Sequence, residues 1–195
     1  SFGGRWGVRI SEPVAVICYP PGEFARRTGL HEEVGGAFDG RIRIAFPDEL
    51  REGGLELSRV VRHEAIHLLL HRIGSQPPPR WLDEGLAQLY DGEDREPWRG
   101  RFRELLAAQP NVAVDEREGF DKSRDLTNWA ALYLHSYFFC RHLLDTGHDF
   151  RLDMMLREVT QGRTWTEAFA AVYGASVREI DQKWRRALSE PVEPR

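Results

Sequence analysis

The chain has 195 residues, of which 41% are hydrophobic and 30% are charged, and its formal net charge is −4. This composition is that of an ordinary globular protein, which argues against a wholly disordered chain. The mild negative charge gives no excess of basic residues that would indicate nucleic-acid binding. No apolar run approaches the ~20 residues that a membrane-spanning helix needs. The length suits one domain, or two small lobes that share a cleft.

The first predicted elements are a short strand and a short helix. Residues 14–19 form a β-prone run that ends at Pro-Pro-Gly. Glu23–Thr28 is predicted as a helix, with Phe24 facing inward and Gly29 ending it.

A hairpin is predicted next, because Asp39-Gly40 is a strong turn signal and glycine tolerates positive φ. Residues 41–46 then alternate, with Ile42, Ile44 and Phe46 on one face, which predicts a half-buried strand. The glycine-rich partner segment indicates a sheet margin. We therefore expect residues 41–46 to be an edge strand that holds an extended peptide, with a plain structural hairpin as the alternative.

The most specific pattern is His63-Glu64-Ala65-Ile66-His67, an H-E-x-x-H sequence in an apolar helical stretch that we expect to begin at Ser58 and end at Gly74. Residues four apart lie on the same helix face, about 6 Å apart along the axis. Two imidazoles can therefore converge on one metal ion, and the glutamate falls beside the open position of that ion.

A catalytic zinc site needs a third protein ligand, and Glu84 is the best candidate. It lies on the helix predicted over residues 81–90, which follows a Pro-rich connector, 17 residues after His67. Gly85 follows it and allows close approach of another helix. The pattern therefore favours a His-His-Glu site.

The chain from Asn128 onward is predicted to be helical, and this segregation of helix from strand indicates an α+β fold. Thr164 is a helix cap, and Ser176 with Glu179 forms a capping box. The predicted helices cover residues 102–108, 129–144 with an end near Gly147, 150–159 with an end at Gly162, 165–173 and 177–188. Residues 111–127 are predicted as a loop, and the tail from Ser189 as frayed.

Together with the H-E-x-x-H pattern, Trp81-Leu82-Asp83-Glu84-Gly85-Leu86-Ala87 resembles the gluzincin metallopeptidases, whose second motif often reads W-L-N-E-G-x-A. The nearest similarity is to the bacterial peptidase MA-like family. It extends over the hairpin, the helix with Tyr133 and Ser136, and the stretch from Trp165 to Trp184, and so covers residues 14–188. The resemblance implies one zincin-like α+β domain over residues 1–195. A small N-terminal mixed sheet and the active-site helix (1–75) would lie over a mostly helical lobe (76–195) that carries the third ligand.

The resemblance also implies a mechanism. His63, His67 and Glu84 would bind one catalytic Zn²⁺, which lowers the pKa of water and polarises the scissile carbonyl. Glu64 would take the water proton and deliver it to the leaving amine. Tyr133 would donate a hydrogen bond to the oxyanion.

Some roles stay open within the resemblance. Tyr137 and His135 are the alternatives to Tyr133 as the oxyanion donor. The strand at 41–46 would bind substrate backbone through the four residues Arg41, Ile42, Arg43 and Ile44. Gln88 stands where some gluzincins place an acid that orients a zinc-bound histidine, so Asp83 or a backbone carbonyl would take that role.

We therefore expect a zinc-dependent endopeptidase that acts on peptides or proteins, as a monomer without nucleic-acid partners or a membrane span. A zinc-stabilised binding module and a zinc hydrolase of a non-peptide amide are the alternatives. The compartment stays open, and an extracytoplasmic bacterial location is compatible with a removed targeting segment.

Four other side chains receive structural interpretations. Cys18 and Cys140 are expected to be small buried hydrophobes, with a disulfide left open. His71 is expected to be a cation at the helix C-terminus and not a ligand. Arg185 is expected on a solvated helix face.

Overall fold

The computed structural model describes residues 6–8, 10–20, 22–30, 34–45, 54–109, 111–115 and 126–189, without the side chains at 54–56, 126–127, 147–149 and 189. The elements are β1 (Val16–Tyr19), α1 (Glu23–Thr28), β2 (Gly36–Phe38), β3 (Ile42–Ala45), α2 (Gly54–Leu70), α3 (Arg80–Tyr90), a 3₁₀ turn (Glu96–Trp98), α4 (Arg99–Ala108), α5 (Leu126–Thr160), α6 (Trp165–Tyr173) and α7 (Val177–Ser189). The protein is mostly helical with a small mixed sheet, which confirms the α+β prediction. No described helix is long and apolar enough to cross a membrane.

The three strands form one sheet in the order β1-β3-β2. β3 pairs in parallel with β1, with Val16 opposite Ile42, and antiparallel with β2, with Phe38 opposite Ile42. The hairpin, the short helix α1 and the buried faces of Ile42 and Ile44 agree with the predictions.

The predicted edge strand is wrong, because β3 is the central strand. An alternating pattern reports which face of a strand is buried, but it carries no information about which edges are paired. The chain leaves its parallel neighbour β1 through a connection that contains α1. Nothing in residues 41–46 themselves indicates that they pair with β1. Phe46, the last residue of that predicted strand, lies outside the described residues.

The H-E-x-x-H motif lies on α2, which packs against β2, β3 and α3. The predicted cap at Ser58 is wrong, since α2 already begins at Gly54 and Ser58 is an exposed helical residue. Its end is close to the prediction, because the last helical residue is Leu70 and a turn follows before Gly74. α3 occupies the predicted place.

α3 packs closely against α5, and Gly85 lies at the contact. A Cβ atom added to Gly85 would overlap Sγ of Cys140 and would lie 2.6 Å from the backbone oxygen of Ser136. The predicted close approach of a helix at this glycine is confirmed. It brings the face of α5 that carries Tyr133 beside the helix that carries Glu84.

The predicted helices 129–144 and 150–159 are one continuous helix, α5, of 35 residues. A glycine inside a helix costs about 1 kcal/mol relative to alanine, which is too little to end the helix when both halves are buried. Leu143 and Leu152, on either side of Gly147, both belong to the core.

Both predicted capping residues act as expected at the C-terminal helices. Oγ1 of Thr164 accepts from the Glu167 backbone N–H at the start of α6, and Oγ of Ser176 accepts from the Glu179 backbone N–H at the start of α7. In each case the glutamate carboxylate accepts in return from the backbone N–H of the capping residue. Of the loop predicted at 111–127, residues 116–125 lie outside the described residues and 126–127 already belong to α5. Of the tail predicted from Ser189, residues 190–195 lie outside the described residues and Ser189 ends α7.

Two side-chain interpretations need correction. Arg185 is buried, because its guanidinium pairs with Asp181, which also lies 2.6 Å from Nε2 of His135. Cys18 is exposed and Cys140 is buried, and both are free thiols. Arg185 is buried where α7 meets α5, and Cys140 is buried where α5 meets α3, so the burial of each follows from tertiary packing.

Candidate active site

One face of α2 carries the three polar residues of the motif. The rings of His63 and His67 lie one turn apart with their centroids 4.9 Å from each other. Glu64 is only 4% exposed and lies under β2. A Cβ atom on Gly36 would lie 2.5 Å from Oε1 of Glu64, so a side chain at position 36 would displace this carboxylate.

Glu84 on α3 completes a cluster with the two histidines. Each of the three residues offers one ligand atom, and these atoms all lie within 4.8 Å of one another. Oε2 of Glu84 is buried 3.8 Å from Nε2 of His63, and it has no hydrogen-bond partner among the described residues. A buried carboxylate oxygen without a donor costs free energy, and a cation would remove that cost. Two imidazoles and one carboxylate are a donor set that zinc prefers.

Asp83 orients His67. Its Oδ1 lies 2.7 Å from Nδ1 of His67, and a carboxylate only accepts, so Nδ1 carries the proton and Nε2 is left for a metal. Burial lowers the pKa of His67, but the charge of Asp83 and its hydrogen bond outweigh burial and raise this pKa to about 9. The other oxygen, Oδ2, lies 3.1 Å from Nε2 of His71.

His63 is oriented by Asp91, a residue that the sequence analysis did not identify. Oδ2 of Asp91 lies 3.3 Å from Nδ1 of His63, and both carboxylate oxygens accept from the guanidinium of Arg95. Burial raises the pKa of Asp91, but the hydrogen bonds with His63 and Arg95 outweigh it and lower the pKa to about 2. Asp91 therefore stays ionised beside the histidine.

Gln88 lies where an orienting acid was expected, but it has another role. Its amide donates to the backbone oxygens of Glu84 and Tyr133, at 3.0 and 2.9 Å, and so ties α3 to α5. Asp91 follows α3 directly, seven residues after Glu84 and two helical turns along, which returns it to the same side of the helix. This spacing from Glu84 is the sequence signal that could have identified Asp91 as part of the site.

Tyr133 is the aromatic residue of α5 that reaches the cluster. Its hydroxyl lies 3.1 Å from Nε2 of His63. Burial, and then the charge of Glu84, raise its pKa, so the phenol keeps its proton. The two alternatives point elsewhere: the ring of Tyr137 lies under the guanidinium of Arg95, and His135 is buried against Asp181. Neither of them lines the cleft.

The cluster opens into a cleft of about 540 Å³ between β2, α2, α3 and α5. Gly36, Ala37 and Phe38 of β2 line it, whereas the four residues predicted to bind substrate backbone do not. Ile42 and Ile44 are buried in the core, and the guanidinium of Arg43 binds Asp39 and the hydroxyl of Tyr19. The structure therefore gives no support to the predicted binding of substrate backbone by Arg41, Ile42, Arg43 and Ile44.

This arrangement is typical of metal-dependent hydrolases. It consists of two histidines and a glutamate on one helix, a second glutamate on the next helix and an open cleft above them. The family model of the Peptidase MA superfamily matches residues 43–190, which is more than half of the chain. The chain belongs to the Peptidase MA superfamily, a class of peptidases. No curated protein and no solved structure matches it significantly.

Proposed function

We propose that this chain is a zinc-dependent endopeptidase of gluzincin type. The observation that carries the proposal is the convergence of His63, His67 and Glu84 within 4.8 Å at the base of a cleft, with Glu64 beside them. The membership of the superfamily supports peptide-bond hydrolysis as the reaction class.

The three residues would hold the ion through the Nε2 atoms of the two histidines and a carboxylate oxygen of Glu84. When bound, zinc supplies a water of lowered pKa and polarises the carbonyl oxygen of the substrate. Asp83 and Asp91 keep the two imidazoles in the tautomer that leaves Nε2 free. A bound ion would take the place of the Nε2 proton that His67 holds below a pKa of about 9, and of the contact between Nε2 of His63 and the Tyr133 hydroxyl.

Glu64 is the general base. Its carboxylate is buried between α2 and β2 and lines the cleft. A carboxylate positioned in this way can accept a proton from a water molecule in the cleft. The carboxylate takes a proton from the attacking water and then gives it to the nitrogen of the leaving amine. A binding site that used metal only for stability would not need an acid at this position.

Tyr133 stabilises the oxyanion. Its phenol stays protonated, because burial and the nearby Glu84 raise its pKa, and it therefore remains a hydrogen-bond donor. A donor fixed in a buried site stabilises developing negative charge without reorganising.

β2 is the strand that binds substrate backbone. One edge of β2 pairs with β3, and in the described part of the chain no strand pairs with its other edge. β2 also lines the cleft. A peptide that adds to this edge would place its backbone across the motif helix.

The substitution Glu64→Gln tests the proposal. We expect the variant to retain zinc and to lose hydrolysis in cleavage-site profiling of a proteome-derived peptide library, because the amide cannot accept the proton. The matched control is Glu104→Gln, an exposed residue of α4 that pairs with Arg101, and it should leave both properties unchanged. Equal cleavage by Glu64→Gln and the unsubstituted chain would contradict the proposal.

A further inference from the structure

His71 lies in the cleft, one turn beyond His67. Its N–H donates to the backbone oxygen of His67, at 2.9 Å, so it continues the path of α2. Its side chain is 35% exposed and lines the cleft, and its Nε2 is held 3.1 Å from Oδ2 of Asp83. The expected role as a cation at the helix end does not account for an imidazole that is fixed by a carboxylate and open to the site.

Phe38 lies over this imidazole. Residues two apart in a strand share a face, and Gly36 faces α2 closely enough that a Cβ would meet Val60 and Glu64. Phe38 therefore also faces α2. Its ring centroid lies 5.4 Å from that of His71 at an interplanar angle of 63°, so the two rings form a corner at the wall of the cleft.

We propose that His71 and Phe38 form a subsite for an aromatic side chain of the substrate. Two partly exposed rings in edge-to-face contact offer a surface on which a third ring packs favourably. The corner lies one helical turn, about 5.4 Å, from His67. An extended peptide advances about 3.3 Å per residue, so the side chain that it accepts is within two residues of the scissile bond. The proposal rests on the proposed peptidase function.

The ring nitrogens of His71 add a preference for tyrosine. Nε2 donates to Asp83, and Nδ1 has no hydrogen-bond partner in the described ranges. In the neutral ring Nδ1 is an acceptor. It can therefore accept a hydrogen bond from a phenolic hydroxyl, which a phenylalanine side chain lacks.

The test is a binding measurement with short peptide hydroxamates on the zinc-loaded protein. The hydroxamate group stays constant, and the neighbouring side chain is methyl, benzyl or 4-hydroxybenzyl. We expect benzyl to bind at least about tenfold more tightly than methyl, on the order of one edge-to-face ring contact, and 4-hydroxybenzyl to bind more tightly than benzyl. His71→Ala and Phe38→Ala should each remove most of the benzyl advantage.

His71→Phe separates the two parts of the subsite. It keeps a ring but removes both nitrogens, so it should keep the benzyl preference and lose the 4-hydroxybenzyl preference. Phe150→Ala is the control, because this residue of α5 is exposed and does not line the cleft. The zinc content of every variant is measured, so that an effect through Asp83 on the metal ligand is detected separately.

The outcomes distinguish the two proposals. Loss of the side-chain preference in both alanine variants, at full zinc content, supports the subsite even if no peptide is cleaved, in which case the peptidase proposal alone fails. Equal affinities for methyl and benzyl, or a benzyl preference that survives both alanine substitutions, overturns the subsite even if the protein cleaves peptides. Failure of the zinc-loaded chain to bind any hydroxamate overturns the subsite as well.

Discussion

At the scale of single residues, the two metal-binding histidines of the proposed centre are held by different aspartates. Asp83 lies on α3 and contacts His67, and its other oxygen contacts His71 at the cleft wall. Asp91 follows α3 and contacts His63, with Arg95 holding both of its oxygens. Both carboxylates stand close to Glu84 in sequence, so one short segment supplies one proposed ligand and the groups that orient the other two.

The substitution Asp91→Asn tests this orienting role. We expect zinc affinity or turnover to fall by about 10–100-fold, because the amide weakens the pairing with Arg95 and can present an N–H to His63 in place of an acceptor. Chelator competition gives the zinc affinity, and peptide hydrolysis gives the turnover. Asp145→Asn, in an exposed pair with Arg141 on α5, is the control. Identical behaviour of the two variants would show that Asp91 does not position His63.

Tyr133→Phe tests the oxyanion donor. We expect kcat to fall by about 10²–10³-fold while zinc affinity is retained, because the substitution removes one donor and no ligand. Tyr137→Phe is the matched control on the same helix, since its ring lies under Arg95 and outside the cleft. A kcat that is unchanged in Tyr133→Phe assigns the role to another group.

At the scale of elements, the site depends on the close packing of α3 on α5. Glu84 and Tyr133 come from these two helices, and the contact at Gly85 brings them to the same cluster. Gln88 ties the two backbones together at the same level. Any separation of the helices would move the proposed third ligand away from the motif helix α2.

Gly85→Ala therefore should destabilise the fold. An added methyl group would overlap Cys140 and approach the backbone of Ser136, and overpacking of this kind costs about 1–3 kcal/mol. For a chain of this size we expect a loss in Tm of about 2–4 °C per kcal/mol, measured by thermal unfolding. Gly100→Ala on α4 has open space around the added atom and should be neutral or slightly stabilising. Equal Tm values for the two variants would contradict the packing argument.

The sequence predicted the elements that carry strong local signals. The motif helix, the helix with Glu84, the hairpin turn and both capping residues depend on spacing and on side chains near in sequence, and all are present. The order of the strands and the continuity of α5 through Gly147 depend on tertiary packing, which outweighs a local signal of about 1 kcal/mol.

The same division holds in the site. His63, Glu64, His67 and Glu84 come from two recognisable patterns, and the structure brings all four to one cleft. Asp91 was missed because it lies outside both motifs, although its spacing of two helical turns from Glu84 places it on the same side of α3. The predicted edge position of residues 41–46 was wrong because the alternating pattern reports burial, and the pairing of β1 with β3 depends on tertiary packing.

At the scale of the whole molecule, β2 and α2 form one wall of the cleft, and α3 with α5 form the other. Each wall supplies part of the proposed centre: the general base and two ligands come from α2, the third ligand from α3, and the oxyanion donor from α5. The proposed activity therefore depends on a single claim, that His63, His67 and Glu84 together bind one catalytic zinc ion.

Zinc content after equilibrium dialysis, measured for the intact chain and for Glu84→Ala, tests that claim most directly. We expect about one zinc per chain for the unsubstituted protein. We expect substoichiometric zinc for Glu84→Ala under the same conditions, with the helical content unchanged. A folded, unsubstituted protein that binds no zinc, or a Glu84→Ala variant that binds it as tightly as the parent, would show that these three residues do not form the zinc site.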